Sequence, residues 1–413
     1  HHFTLPNGLR VLVHPVRGSQ VAAFNLMYKV GSGDEAPHRT GLAHLFEHLM
    51  FSASQHVPSY DQALQRVGGQ DNAYTTFDVT NYYCVLPSSN LETAFWLESD
   101  RMYYLSCTPH HLEVQRKVVI EEFKQTCFNK PYGDAWHHLL ALAYEGHPYS
   151  WPTIGKEISH IEDVTLEEVK AFGKRFYHPS NAVLVVAGGV NLPEVKRLSE
   201  KWFSLESSPA KIDRVAPLAP AQRRKGQSKR VSGHVPFDVL YLAYHLPPRS
   251  HHDHLSLSLL AHLLGTGKSS LLYQKLVEEL GWLTDLSIYT TDMLQGDLFM
   301  IEAELSEGTT FAQVEEVIKK TLADICTTQI APLLWEKVKN QFESHHAFSH
   351  TSLLERADTL AYATWIDNPN FFNEEVGTRL AELSPEEMQA VGKRLLTHDK
   401  AITLQYAKQG KSS

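Results

Sequence analysis

TLEEVKAFGKRFYHPSNAVL, residues 165–184, and SPEEMQAVGKRLLTHDKAIT, residues 384–403, align without a gap at an offset of 219. Glu167, Glu168, Ala171, Gly173, Lys174, Arg175 and Ala182 recur as Glu386, Glu387, Ala390, Gly392, Lys393, Arg394 and Ala401. Each stretch opens on a capping box, Thr165 with Glu168 and Ser384 with Glu387, followed by an amphipathic helix and an apolar strand. A second echo lies upstream, where the strand around Leu26 and Tyr28 is repeated around Leu242 and Tyr244. Two echoes in the same order predict an internal duplication, each copy mixing helix with strand. The expected fold is α+β: two homologous domains, each a mostly antiparallel sheet packed with helices. Their boundaries are expected at 1–206 and 231–413. Pro209, Pro217, Pro220, Gly226 and a basic cluster make 207–230 an exposed linker.

The chain has 413 residues, 43% of them hydrophobic and 21% charged, which fits a multi-domain globular protein and not a disordered one. Its net charge of −9 repels phosphate backbones, so no nucleic-acid partner is expected. No run approaches the ~20 apolar residues that span a bilayer, so no membrane partner is expected either. No signal peptide is visible, and a cytoplasmic rather than periplasmic location is expected. Cys84, Cys107, Cys127 and Cys326 have neither CxxC spacing nor the density of a disulfide scaffold.

The chemistry concentrates between Leu42 and Met50. Leu42, Leu45, Phe46, Leu49 and Met50 fall at i, i+3, i+4, i+7 and i+8 and form one core-facing helical stripe. At 100° per residue, His44, Glu47 and His48 project together from the opposite side. Two imidazoles one turn apart suit Zn²⁺, and a carboxylate beside them can take a proton from water at the metal. With 24 histidines and 47 acids, His-x-x-acid-His arises by chance in about one such chain in six. Its placement opposite a complete core stripe is what raises it above a solvated histidine-rich face. A catalytic zinc usually takes a third protein ligand. Thr108 and Pro109 predict the start of a second helix that runs to Glu121 and Glu122, and spacing alone leaves both acids open.

The His-x-x-Glu-His order is the inverzincin signature. The chain resembles the pitrilysin/insulinase family of zinc peptidases, in the short form typified by the catalytic subunit of the mitochondrial processing peptidase. The matching residues run in order from Leu5-Pro6-Asn7-Gly8-Leu9 through Gly41-Leu42-Ala43-His44-Leu45-Phe46-Glu47-His48, Gly68-Gly69 and Asn72-Ala73-Tyr74-Thr75 to Tyr177-His178-Pro179-Ser180-Asn181. The resemblance implies that His44, His48 and Glu122 bind one zinc per chain and that Glu47 is the general base. It also implies that Asn72, Ala73, Tyr74 and Thr75, in a strand-like segment reaching Leu86, pair with the peptide substrate. Two such domains form half of a closed chamber in the family, so the expected partner is a second copy or a related non-catalytic subunit. Where many relatives carry a further glutamate this chain has Gln115, and where the family has its substrate-binding Arg and Tyr it has Val277 and Thr284. At the offset of 216 the second copy places Leu260, Leu263 and Leu264 where the first has His44, Glu47 and His48. The expected activity is a zinc endopeptidase acting on unfolded or short peptides. The alternative is a catalytically silent scaffold of the same fold.

Overall fold

The structure is a computed structural model that describes residues 1–205, 212, 226–368 and 370–409. Its first sheet contains β1 (His2–Thr4), β2 (Arg10–Pro15), β3 (Val21–Tyr28), β4 (Gln70–Thr75), β5 (Thr80–Pro87) and β6 (Ala182–Gly188), in the order β1-β2-β6-β3-β5-β4. The second contains β7 (Ser228–Gly233), β8 (Val239–Leu246), β9 (Leu283–Thr290), β10 (Asp297–Leu305) and β11 (Ile402–Lys408), in the order β7-β11-β8-β10-β9. With β1 set aside, the two orders superimpose strand for strand, so the duplication read from the sequence is a duplication of topology. The β2–β6 and β7–β11 pairings are parallel and all others antiparallel. β6 and β8 are buried along their whole length, as strands covered on both faces must be, which explains their unbroken apolar runs.

The repeated helix-strand unit is present twice, as Leu166–Phe176 leading to β6 and Pro385–Leu395 leading to β11. Thr165 closes a full capping box with Glu168, and Ser384 Oγ accepts the Glu387 N–H at 3.1 Å. Four expectations change in detail. The single strand-like run expected from Phe3 to Val13 is broken in two by the Pro6-Asn7-Gly8 turn, where Gly8 takes a φ of +91°. The segment through Leu86 is a hairpin, because Thr76 Oγ1 accepts the Asp78 and Val79 N–H groups and turns the chain. The expected linker lies largely outside the described residues, and its last part belongs to β7, paired in parallel with β11.

The domain boundaries are the fourth change. One compact unit comprises the described residues of His1–Phe123, Trp151–Val215 and Ala347–Phe372; the other comprises those of Lys124–Ser150, Ala216–His346 and Asn373–Ser413. The helix Leu353–Trp365 therefore covers β6 and β3 of the first sheet, burying Ala357 and Ala361 against Ala23, Met27, Val183 and Val185. The helix Ala135–Ala143 covers β11 and β8 of the second. Contiguous boundaries at 206 and 231 miss this exchange, because helical periodicity reports that one side is buried and not which sheet buries it.

Candidate active site

The helix α1 spans Leu42–Met50, and its predicted stripe is buried: Leu45 and Leu49 are wholly inaccessible. Phe46 lies against Tyr177 at 4.2 Å and Phe172 at 5.5 Å between ring centroids. The helix begins at Gly41, whose φ of +86° and close approach to the Ile154 carbonyl leave no room for a side chain. Its free N–H groups meet a buried carboxylate: Glu35 accepts the Gly41 N–H at 2.9 Å and the Ala43 N–H at 2.7 Å. The Trp151 indole donates to the same group at 3.0 Å. Burial raises Glu35 to about 8, with these three donors pulling the other way.

His44 and His48 stand one turn apart on the other face, their rings 4.8 Å apart and edge to face. Two further helices, α2 (Tyr60–Gln65) and α3 (Leu91–Tyr104), precede α4 (Pro109–Phe123), which starts where predicted, with Thr108 Oγ1 accepting the His111 N–H. In the last turn of α4, Glu122 brings one oxygen to 3.4 Å from His48 Nε2 and the other to 3.9 Å from His44 Nε2. The choice left open by spacing is thus resolved in space: the acid facing both imidazoles is Glu122 and not Glu121. The three donor atoms lie within 4.8 Å of one another. Ligands at 2.0–2.2 Å around a tetrahedral ion sit about 3.4 Å apart, so this donor set fits one zinc with little adjustment. Gln115 hydrogen-bonds His48 from the same helix.

Glu47 is only 8% exposed and lies on the α1 face that carries the histidines. Thr75 Oγ1 donates to its Oε2, so the carboxylate is held from β4. Burial raises Glu47 above the usual carboxylate range; the Thr75 bond and His48 oppose this, and Glu122 adds to it. Burial also pushes His44 down, to about 4, with His48 adding to it and Glu122 opposing. For His48 burial is outweighed by the bond and charge of Glu122, by Glu47 and by Gln115, and its value is raised. The hydrogen bond with His48 holds Glu122 below its ordinary value.

Asn72 to Thr75 all lie in β4, the terminal strand of the first sheet among the described residues. Thr75 turns toward α1, whereas Tyr74 turns to the opposite face and donates to Asp358. The Ala73 N–H is bonded by the side chain of its neighbour Asn72 at 2.8 Å. In the second copy Leu260, Leu263 and Leu264 are buried core residues. Val277 packs on that core, and Thr284 Oγ1 donates to Glu304. Two histidine-acid clusters there, His251 and His252 with Asp253, and His254 with Asp292 and Asp297, are met by cations, Arg394 on Asp253 and Arg249 beside Asp292.

Two family models match the chain. One described as Insulinase (Peptidase family M16) covers residues 10–157, and one described as Peptidase M16 inactive domain covers 163–342. A zinc protease named PqqE from Helicobacter pylori is 34% identical over 67% of this chain and 63% of its own length. An uncharacterized zinc protease from Mycobacterium leprae is 30% identical over 78% of this chain and 72% of its own. The crystal structure of a protease from Helicobacter pylori superimposes with a TM-score of 0.92 at 25% identity, covering 98% of this chain and 99% of that one. With a duplicated α+β fold and two imidazoles facing a carboxylate across α1 and α4, the chain belongs to the insulinase family, peptidase family M16.

Proposed function

We propose that the chain is a zinc-dependent endopeptidase for unfolded or short peptides, bound as an added strand along β4. The observation that carries this reading is the convergence of His44, His48 and Glu122 with a separately held, buried Glu47 beside the free edge of a sheet. His44, His48 and Glu122 would hold one zinc, which when bound supplies a Lewis acid for a peptide carbonyl and for water. Glu47 takes a proton from the attacking water as the new C–O bond forms. It then passes that proton to the amine nitrogen as the C–N bond breaks. The Thr75 bond holds one carboxylate oxygen and leaves the other to take and give the proton. A peptide along β4 gains main-chain hydrogen bonds that ignore side-chain identity, which gives broad specificity.

A second chain, either another copy or a related non-catalytic one, completes the enclosure in this reading. The Glu122 side chain is 45% exposed and β4 has no outer strand neighbour among the described residues, so in this reading one chain leaves the reaction open to bulk water. Cleavage of an internally quenched peptide, abolished by a zinc chelator and restored by zinc, tests the activity. Chelator-insensitive cleavage would overturn the assignment. Light scattering of the active species tests the pairing, which a fully active monomer contradicts.

A further inference from the structure

Among the described residues β4 has one strand neighbour, β5, so side chains hold its outer half. On the α1 side Thr75 bonds Glu47. On the other side Tyr74 donates its phenol to Asp358 Oδ1, on the helix Leu353–Trp365. The same oxygen accepts Asn81 Nδ2 at 2.8 Å, and Asn81 is the register partner of Tyr74 on β5. Asn81 also donates to Asn25 Oδ1 of β3 at 2.9 Å. One carboxylate thus ties the edge strand to its neighbour, to a central strand and to the covering helix. Asp358 lies beyond residue 342, where the second family match ends.

We propose that Asp358 is a positioning residue for peptide binding, fixing through Tyr74 the edge strand on which the substrate lies. This rests on the peptidase reading above. A strand that adds a peptide must present its N–H and C=O groups in a fixed register and tilt. Thr75 alone pins one face of β4; with Tyr74 released, the strand can roll about that contact and misalign the exposed amides. The cost falls on substrate binding, since His44, His48, Glu122 and Glu47 keep their own supports. Burial pushes Asp358 up to about 6, with Tyr74 opposing and Glu355 adding, so a neutral acceptor at this place is a mild change.

The test compares kcat and KM for Asp358→Ala, Tyr74→Phe, Asp358→Asn and Leu360→Ala. Asp358→Ala and Tyr74→Phe should raise KM about 5–10-fold with kcat within about threefold and zinc content unchanged. Asp358→Asn, whose amide oxygen accepts the same two bonds, should return KM to within about threefold of wild type. Leu360→Ala loosens the packing of the same helix while leaving both hydrogen bonds of Asp358 in place, and should lower thermal stability while leaving KM alone. In parallel, binding of a fluorescein-labelled unstructured peptide is measured in the Glu47→Gln background, where Tyr74→Phe should raise Kd by the same factor. A chain that cleaves normally with KM and Kd unmoved by Tyr74→Phe, or moved equally by Leu360→Ala, overturns this inference alone. A chain that neither cleaves nor binds peptide overturns the peptidase reading with it.

Discussion

Glu35→Gln should destabilise the protein in acid and much less so in base. The glutamate accepts Ala43 N–H on one oxygen and Gly41 N–H and Trp151 Nε1 on the other. In acid Glu35 carries its proton, yet its hydroxyl oxygen can still accept the Ala43 N–H while the carbonyl oxygen keeps the latter pair; a glutamine NH₂ accepts nothing, so it and the Ala43 N–H are left as two buried donors without acceptors. At about 1–3 kcal/mol for each such group, the helix start loses roughly 2–6 kcal/mol. The ionisation of Glu35 works against that difference. Its folded value of about 8 is raised from 4.5, so its contribution to stability is complete below the lower value and is lost as pH rises through the upper. Between about pH 5 and about pH 8 the wild type should therefore give up about 3–4 kcal/mol that glutamine never had. Urea unfolding followed by circular dichroism, at several pH values and equal zinc excess, reads the difference directly. A gap between the two proteins that stays constant across this range refutes the buried-acid account. A variant more stable than wild type in acid refutes the cap.

Glu122→Gln should weaken zinc binding by more than about 100-fold, beyond the effect of losing an outer contact, while Glu121→Gln leaves it nearly unchanged, as competition with a chelating dye will show. Gly41→Ala should cost about 2–4 kcal/mol in chemical denaturation, from left-handed backbone strain and from a Cβ that would lie 2.8 Å from the Ile154 oxygen.

The helix Leu42–Met50 was legible because its two faces separate by angle. Leu45 and Leu49 turn inward while His44, Glu47 and His48 turn outward, and no other period fits nine residues so well. The duplication was legible because capping residues and a Gly-Lys-Arg run recur at one offset. The third donor was legible only through the family resemblance, since by spacing Glu121 and Glu122 differ only by a rotation that depends on how α4 packs. Glu35 gave no signal: it lies in irregular chain, and its partner Trp151 is 116 positions away. The hairpin was hidden because its turn, Thr76 to Val79, contains neither glycine nor proline. The exchanged helices were equally hidden, because Ala357 and Ala361 declare a buried face without naming β3 and β6 as its cover.

The central claim is that Glu47 moves the proton while His44, His48 and Glu122 hold the metal, and one variant separates these roles. Metal content and peptidase rate are measured on the same preparation of Glu47→Gln. The account predicts about one zinc per chain, as in the wild type, with kcat lowered about 10²–10⁴-fold. Zinc lost in step with activity, or activity kept with the carboxylate gone, would contradict it.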